Sequence, residues 1–174
     1  MFWLFGYGSL IWRPDFPYEE RKPAWIEGFA RRFWQNSPDH RGTPENPGRV
    51  LTLTPAPGER CFGILYQVSD VHLASLDHRE RGGYDRVQTV ATSGEERHPV
   101  TLYLAAVDNP HFAGDAPIGE LVEQILHAAG ESGPNSEYVL QLDLALAVHG
   151  VVEPHIRTLA DALRARGAAN PPEA

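Results

Sequence analysis

An α+β domain, with a twisted, mostly antiparallel sheet curling toward a small barrel and helices packed outside it, is what the sequence predicts, on three observations. Strand-like apolar runs crowd the first hundred residues of the 174, while helical periodicity belongs to the last sixty. No strand–helix alternation links the two regions, which disfavours a parallel doubly wound sheet. Hydrophobic residues make up 42% and charged residues 22%, the balance of an ordinary globular chain with a core of its own. Closing such a sheet on itself removes its unpaired edges.

The elements follow in order. Phe2 to Tyr7, Val50 to Thr54, Phe62 to Val68 and Val100 to Ala106 are apolar and β-branched runs between turn signals, and Trp25 to Trp34 and Arg86 to Thr92 share the pattern. A short helix is expected to end at the double glycine Gly82-Gly83. Ile118, Leu121, Val122, Ile125 and Leu126 recur at helical spacing after Pro117, which suits an early helix position, and that helix should end near Gly130. A second helix should start after Asn135-Ser136, and a third should bury Val152, Ile156, Leu159 and Leu163 on one face. One domain over residues 1–166 and a frayed tail over 167–174 complete the expected organisation. Residues 35–48, "QNSPDHRGTPENPG", lack apolar side chains and hold three prolines and two glycines; loops that long are usually functional or disordered.

Net charge is −8, which argues against nucleic acid as a partner. The charge is uneven: residues 1–60 carry eight basic and seven acidic side chains, so a small anion would do better near that half. The single cysteine, Cys61, excludes an internal disulfide and a multi-cysteine zinc cage; it sits in a strand-like run as a small apolar group and suits a reducing, cytoplasmic setting. The apolar N-terminus has no basic flank and is broken by glycines, so neither a signal peptide nor a membrane helix is expected. None of the eight histidines forms an H-x-H pair, an H-E-x-x-H or an i, i+4 pair, so no metal is expected. Nothing in the sequence specifies an oligomeric state.

Four stretches carry the candidate chemistry. In "FGYGSLIW" two glycines, a tyrosine and a serine interrupt an apolar run, as a loop would whose bare N–H groups hold an anionic or carbonyl oxygen; a tight turn is the plain alternative. In "LDHRERGGY" Glu80 lies at a helix end where the double glycine permits a sharp reversal, against the plain reading of a solvated carboxylate. "RRFWQNSPDHRGTPENPGRV" gathers Arg31, Arg32, Arg41 and Arg49 around a loop. "GESGPNSEY" places Asn135, Glu137 and Tyr138 at a helix start, where Asn or Ser would serve as the cap.

Taken in order, and with "DNP" at Asp108 to Pro110, these stretches resemble the ChaC-type γ-glutamylcyclotransferases, the family that cleaves glutathione, over roughly Phe2 to Val148. The resemblance implies a small mixed barrel with flanking helices. It also implies a substrate loop at Tyr7, Gly8, Ser9 and Leu10, and a catalytic acid/base at Glu80. Arg41, Arg49 and Tyr138 are further candidates for substrate polar groups. The sequence departs from the family pattern at Asn36, where glycine is common, and at Arg81, where lysine is.

The implied reaction makes 5-oxoproline: the substrate's α-amine attacks its own γ-carbonyl and expels cysteinylglycine, so no catalytic Ser or Cys and no cofactor is needed. The protein must fold the γ-glutamyl arm, remove a proton from the α-ammonium and stabilise an oxyanion. A glutamate with an ordinary value near 4.3 should be at least partly buried to act as base near neutrality. Two rivals share these residues: a cyclotransferase for other γ-glutamyl amino acids or amines, and a non-catalytic γ-glutamyl-binding module.

Overall fold

A computed structural model describes residues 1–79 and 83–171. By their contacts the residues fall into two compact units, Met1–Arg31 with Thr52–Phe112, and Arg32–Leu51 with Ala113–Ala174. Two long strands run along the chain from one unit into the other.

The strands are β1 (Phe2–Gly6), β2 (Glu20–Ser37), β3 (Gly48–Val68), β4 (Asp85–Ser93) and β5 (Glu96–Leu104). They close into a mixed barrel in the order β1-β3-β2-β4-β5. β1 runs antiparallel to β3, with Phe2 opposite Val68 and Gly6 opposite Ile64, and parallel to β5 through Trp3–Val100 and Leu4–Thr101. β4 and β5 form a hairpin from Asp85–Leu104 to Ser93–Glu96, turned at Gly94, whose φ of +59° suits the first position of a two-residue turn. In this unit Leu4, Phe5, Ile26, Ile64, Leu65 and Leu102 are buried. A 3₁₀ turn, Ser9–Ile11, follows β1, and a second, Asp70–His72, leads into α1 (Leu73–Arg79).

Two expected strands, Val50 to Thr54 and Phe62 to Val68, are one: β3 runs unbroken through Pro55 to Arg60. The turn-like composition there has a physical cause. That part is largely exposed, and Gly58 takes φ +87° within the strand, so prolines and a glycine sit where no neighbour demands apolar side chains. β2 likewise extends beyond Trp25–Trp34 at both ends, into the exposed Glu20-Arg21 and the polar Gln35 to Ser37.

In the second unit, α2 (Ile118–His127) buries Leu121, Val122 and Ile125, the predicted face, although Ile118 itself is exposed. α3 (Asn135–Val148) is buried on several sides, and α4 (Pro154–Ala165) buries Ile156, Leu159, Ala160 and Leu163. Val152 precedes α4 and is exposed, so it does not belong to that face. Asp143 of α3, itself buried, accepts a hydrogen bond from Arg164 Nη2 at 2.8 Å and forms an ion pair with Arg157, whose Nε lies 2.9 Å away; both arginines belong to α4. Among the described residues no helix is long and apolar enough to cross a membrane.

Candidate active site

The segment Tyr7–Leu10 leaves β1 at its C-terminal end and turns back over it. Gly6 is the point of closest approach: a Cβ there would stand 2.5 Å from the Leu10 Cβ. Three tethers fix the turn. The Tyr7 hydroxyl donates to the Tyr103 carbonyl of β5 at 2.7 Å, within the core. The Tyr66 hydroxyl donates to the Leu10 carbonyl at 2.5 Å, and burial pushes this phenol up to about 12, so it stays a protonated donor. The Arg31 guanidinium donates to the Tyr7 carbonyl and, through its other terminal nitrogen, to the Phe62 carbonyl.

Carbonyls are therefore the groups the tethers engage. The Gly8 carbonyl accepts from Ile11 N, and the Ser9 carbonyl from Trp12 N and Arg13 N. Among the described residues, the N–H groups of Gly8, Ser9 and Leu10 have no protein acceptor. Three successive backbone donors at partly exposed positions can take an oxygen bearing negative charge. The Tyr7 side chain is buried and its hydroxyl donates to the Tyr103 carbonyl.

Glu80, Arg81 and Gly82 lie outside the described residues. The chain before them is anchored: Asp77 of α1 accepts from the Tyr103 hydroxyl at 2.6 Å and from Arg86 Nη1 of β4 at 2.9 Å. The chain after them is anchored at Gly83, whose carbonyl accepts from the Asn109 side-chain amide. This gives the "DNP" stretch a local task that its sequence alone did not reveal.

In the second unit the loop between β2 and β3 is knitted, not loose. Glu131 N donates to the Asp39 carbonyl, Ser132 N to the His40 carbonyl, and Thr43 and Asn46 bond each other's backbones. Gly130 permits this: a Cβ there would meet the Asp39 carbonyl oxygen at 2.1 Å. Arg41 belongs to this loop. Its guanidinium donates to the Pro134 carbonyl at 3.0 Å, lies 3.8 Å from Glu137 and stands over the Tyr138 ring at 5.5 Å, so Arg41 and Tyr138 come together. Tyr138 also meets the Phe33 ring edge-on at 5.9 Å.

Arg49 is placed differently. Its Nε donates to Gln124 Oε1 at 2.8 Å, and its Nη1 to the carbonyls of Phe33 and Gly114 at 3.2 and 3.0 Å. Burial holds the guanidinium below its ordinary value. Gln124 in turn donates to Asn36 Oδ1 at 3.1 Å, which gives the unusual Asn36 an internal partner.

Asn135 does not cap its helix. It is fully buried, accepting from Arg49 N at 2.7 Å and donating to the Arg49 carbonyl at 2.8 Å, as a neighbouring strand would. Arg31 departs further from expectation. It is no loop residue but an interior position of β2, 1% exposed, and nothing in "RRFWQ" distinguishes it from Arg32.

The family model described as ChaC-like protein matches residues 2–166. A relative from Arabidopsis thaliana named gamma-glutamylcyclotransferase 2-3 is 39% identical, over 93% of this chain and 88% of its own. Glutathione-specific gamma-glutamylcyclotransferase 1 of Danio rerio is 38% identical over 94% of this chain and 89% of its own. Among solved structures, a γ-glutamyl cyclotransferase specific to glutathione from yeast superposes with a TM-score of 0.85 at 30% identity, over 94% of this chain and 96% of that one. A structure named gamma-glutamyl cyclotransferase, 18% identical, superposes with a TM-score of 0.59 over 91% and 85% of the two chains and shows a shared fold.

Proposed function

The chain belongs to the ChaC-like protein family, and from that premise we propose that it is a γ-glutamylcyclotransferase acting on glutathione. The reaction is a lyase-type cyclisation. The glutathione α-ammonium gives a proton to the Glu80 carboxylate, and the freed amine attacks the γ-carbonyl carbon, forming the ring C–N bond. The carbonyl oxygen carries the negative charge of the tetrahedral intermediate. Glu80 returns the proton to the cysteine nitrogen as the original C–N bond breaks, and the ring nitrogen gives its surplus proton to the departing amine, releasing 5-oxoproline and cysteinylglycine, the latter in its ammonium form. Atoms balance without water, cofactor or metal, because the nucleophile belongs to the substrate.

The observation that carries this reading is the Tyr7–Leu10 turn. Its carbonyls are taken by internal donors while, among the described residues, the N–H groups of Gly8, Ser9 and Leu10 are taken by none, which supports their use toward the γ-glutamyl oxygen. We assign Arg41 and Tyr138 to substrate polar groups. Arg49 was a candidate for the same task, but its internal acceptors favour a structural role. A cytoplasmic setting goes with the reading, since the one thiol, Cys61, is buried and calls for no oxidised partner.

The test is release of 5-oxoproline from a panel of γ-glutamyl compounds. Glutathione should give a higher kcat/KM than γ-glutamyl dipeptides that lack its glycine carboxylate. Equal values would remove the arginine-bearing loop from recognition and favour a cyclotransferase for simpler γ-glutamyl amino acids. No product from any of them would favour a binding module.

A further inference from the structure

We propose that Arg31 is a positioning residue for the cyclisation: it clamps the Tyr7–Gly8 peptide so that the Gly8 N–H points at, and is polarised toward, the γ-carbonyl oxygen as that oxygen becomes negative. The inference rests on the cyclotransferase reading above and adds to it a residue that does not touch the substrate.

Arg31 lies within β2 with 1% of its surface exposed. Taking a guanidinium out of water is costly, and an apolar side chain of similar volume would fill the same space more cheaply. Two of its hydrogen bonds show one thing the charge achieves there. One terminal nitrogen donates to the Tyr7 carbonyl, at 2.5 Å, and the other to the Phe62 carbonyl of β3, which fixes the plane of the guanidinium.

The Tyr7 carbonyl and the Gly8 N–H belong to one peptide group, trans and planar, so they point in opposite directions. Fixing the oxygen fixes the N–H. A charge-assisted hydrogen bond to the oxygen also draws electron density from the nitrogen, which makes the N–H a stronger donor in a low-dielectric setting. Nothing else in the described protein takes that N–H. The Tyr66–Leu10 tether holds the other end of the turn, so the clamp acts on a segment that cannot swing to relieve it. An N–H strengthened in advance matters most where the acceptor gains charge, in the transition state and not in bound glutathione.

The experiment compares Arg31→Met, Arg31→Lys and Glu80→Gln by 5-oxoproline release from glutathione, thermal melting and the amide resonance of Gly8 in ¹⁵N-labelled protein. Removing an oxyanion donor outright costs about 10²–10³ in kcat; weakening one by Arg31→Met should cost roughly tenfold or more, with KM within about twofold. The Gly8 amide proton should move upfield. Arg31→Lys, which keeps the charge and one donor, should recover part of both effects. A folded Arg31→Met with wild-type kcat, or a loss confined to KM, overturns the proposal. If Arg31→Met does not fold, Arg31→Lys decides: lowered kcat with a shifted Gly8 amide supports the clamp, and wild-type values of both overturn it. Glu80→Gln separates the two readings. If it is inactive while Arg31→Met is fully active, only the clamp fails. If it turns over like wild type, the acid/base assignment fails, whatever Arg31 does.

Discussion

Glu80 and His155 each offer a test by single substitution. Glu80→Gln preserves size and removes the ability to accept a proton, so kcat should fall by roughly 10²–10⁴ if the carboxylate is the base. Glutathione affinity, measured by calorimetry, should change far less, since the lost interaction belongs to the transition state. A folded variant with near-wild-type turnover would take Glu80 out of the mechanism. His155 acts on stability instead. Burial foremost, then the Arg32 charge, lowers its imidazole from 6.5 to about 4, and its Nε2 accepts from Phe33 N at 3.5 Å. As pH falls below the unfolded value of 6.5, the unfolded chain takes up a proton that the folded one refuses. The stability gained from a neutral His155 is therefore whole above that pH and lost progressively toward pH 4. His155→Gln should flatten this slope, so urea midpoints at pH 7 and pH 5 should differ less in the variant than in wild type. Equal drops in both would exclude the histidine as a source of acid sensitivity.

Between elements, the side chain to test is Asn135, which joins the first turn of α3 to β3 by bonding both backbone groups of Arg49. Asn135→Ala leaves a buried N–H and a buried carbonyl unpaired, each costing about 1–3 kcal/mol, so the loss should reach about 2 kcal/mol or more. Asn135→Asp keeps the acceptor and loses the donor, and should fall between. Urea melts measure both, and a change below about 0.5 kcal/mol for the alanine variant would mean that these bonds are replaced at no cost. Sequence reading put Asn135 at the right place and in the wrong role. A helix-starting Asn looks the same whether its amide serves its own helix or a strand some 86 residues away. The same limit explains the rest. The apolar face of α2 is legible because its spacing is local, and the Tyr7–Leu10 turn because two glycines mark it. Arg31 is not, because Ala30, Arg31 and Phe33 are all buried and break the period-two alternation that would have told its side from that of Arg32. Nor is the unbroken course of β3, where exposure lets Pro55, Pro57 and Gly58 imitate a turn.

For the molecule as a whole, family membership and the close superposition on the yeast structure agree with the α+β barrel drawn from composition and spacing alone. The parallel seam between β1 and β5 carries a consequence for how the chain becomes that barrel. Trp3 meets Val100, and Leu4 meets Thr101, so the ring is closed by residues 97 positions apart. A ribosome adding about 5–20 residues per second leaves β1 waiting roughly 5–20 s before its parallel partner exists. Until then Phe2, Trp3, Leu4 and Phe5 can find β3 but not closure, and one flank of the incipient sheet stays open to other nascent chains. Ring closure is an event of a nearly complete unit, and the interval before it is when this protein is most in need of a chaperone.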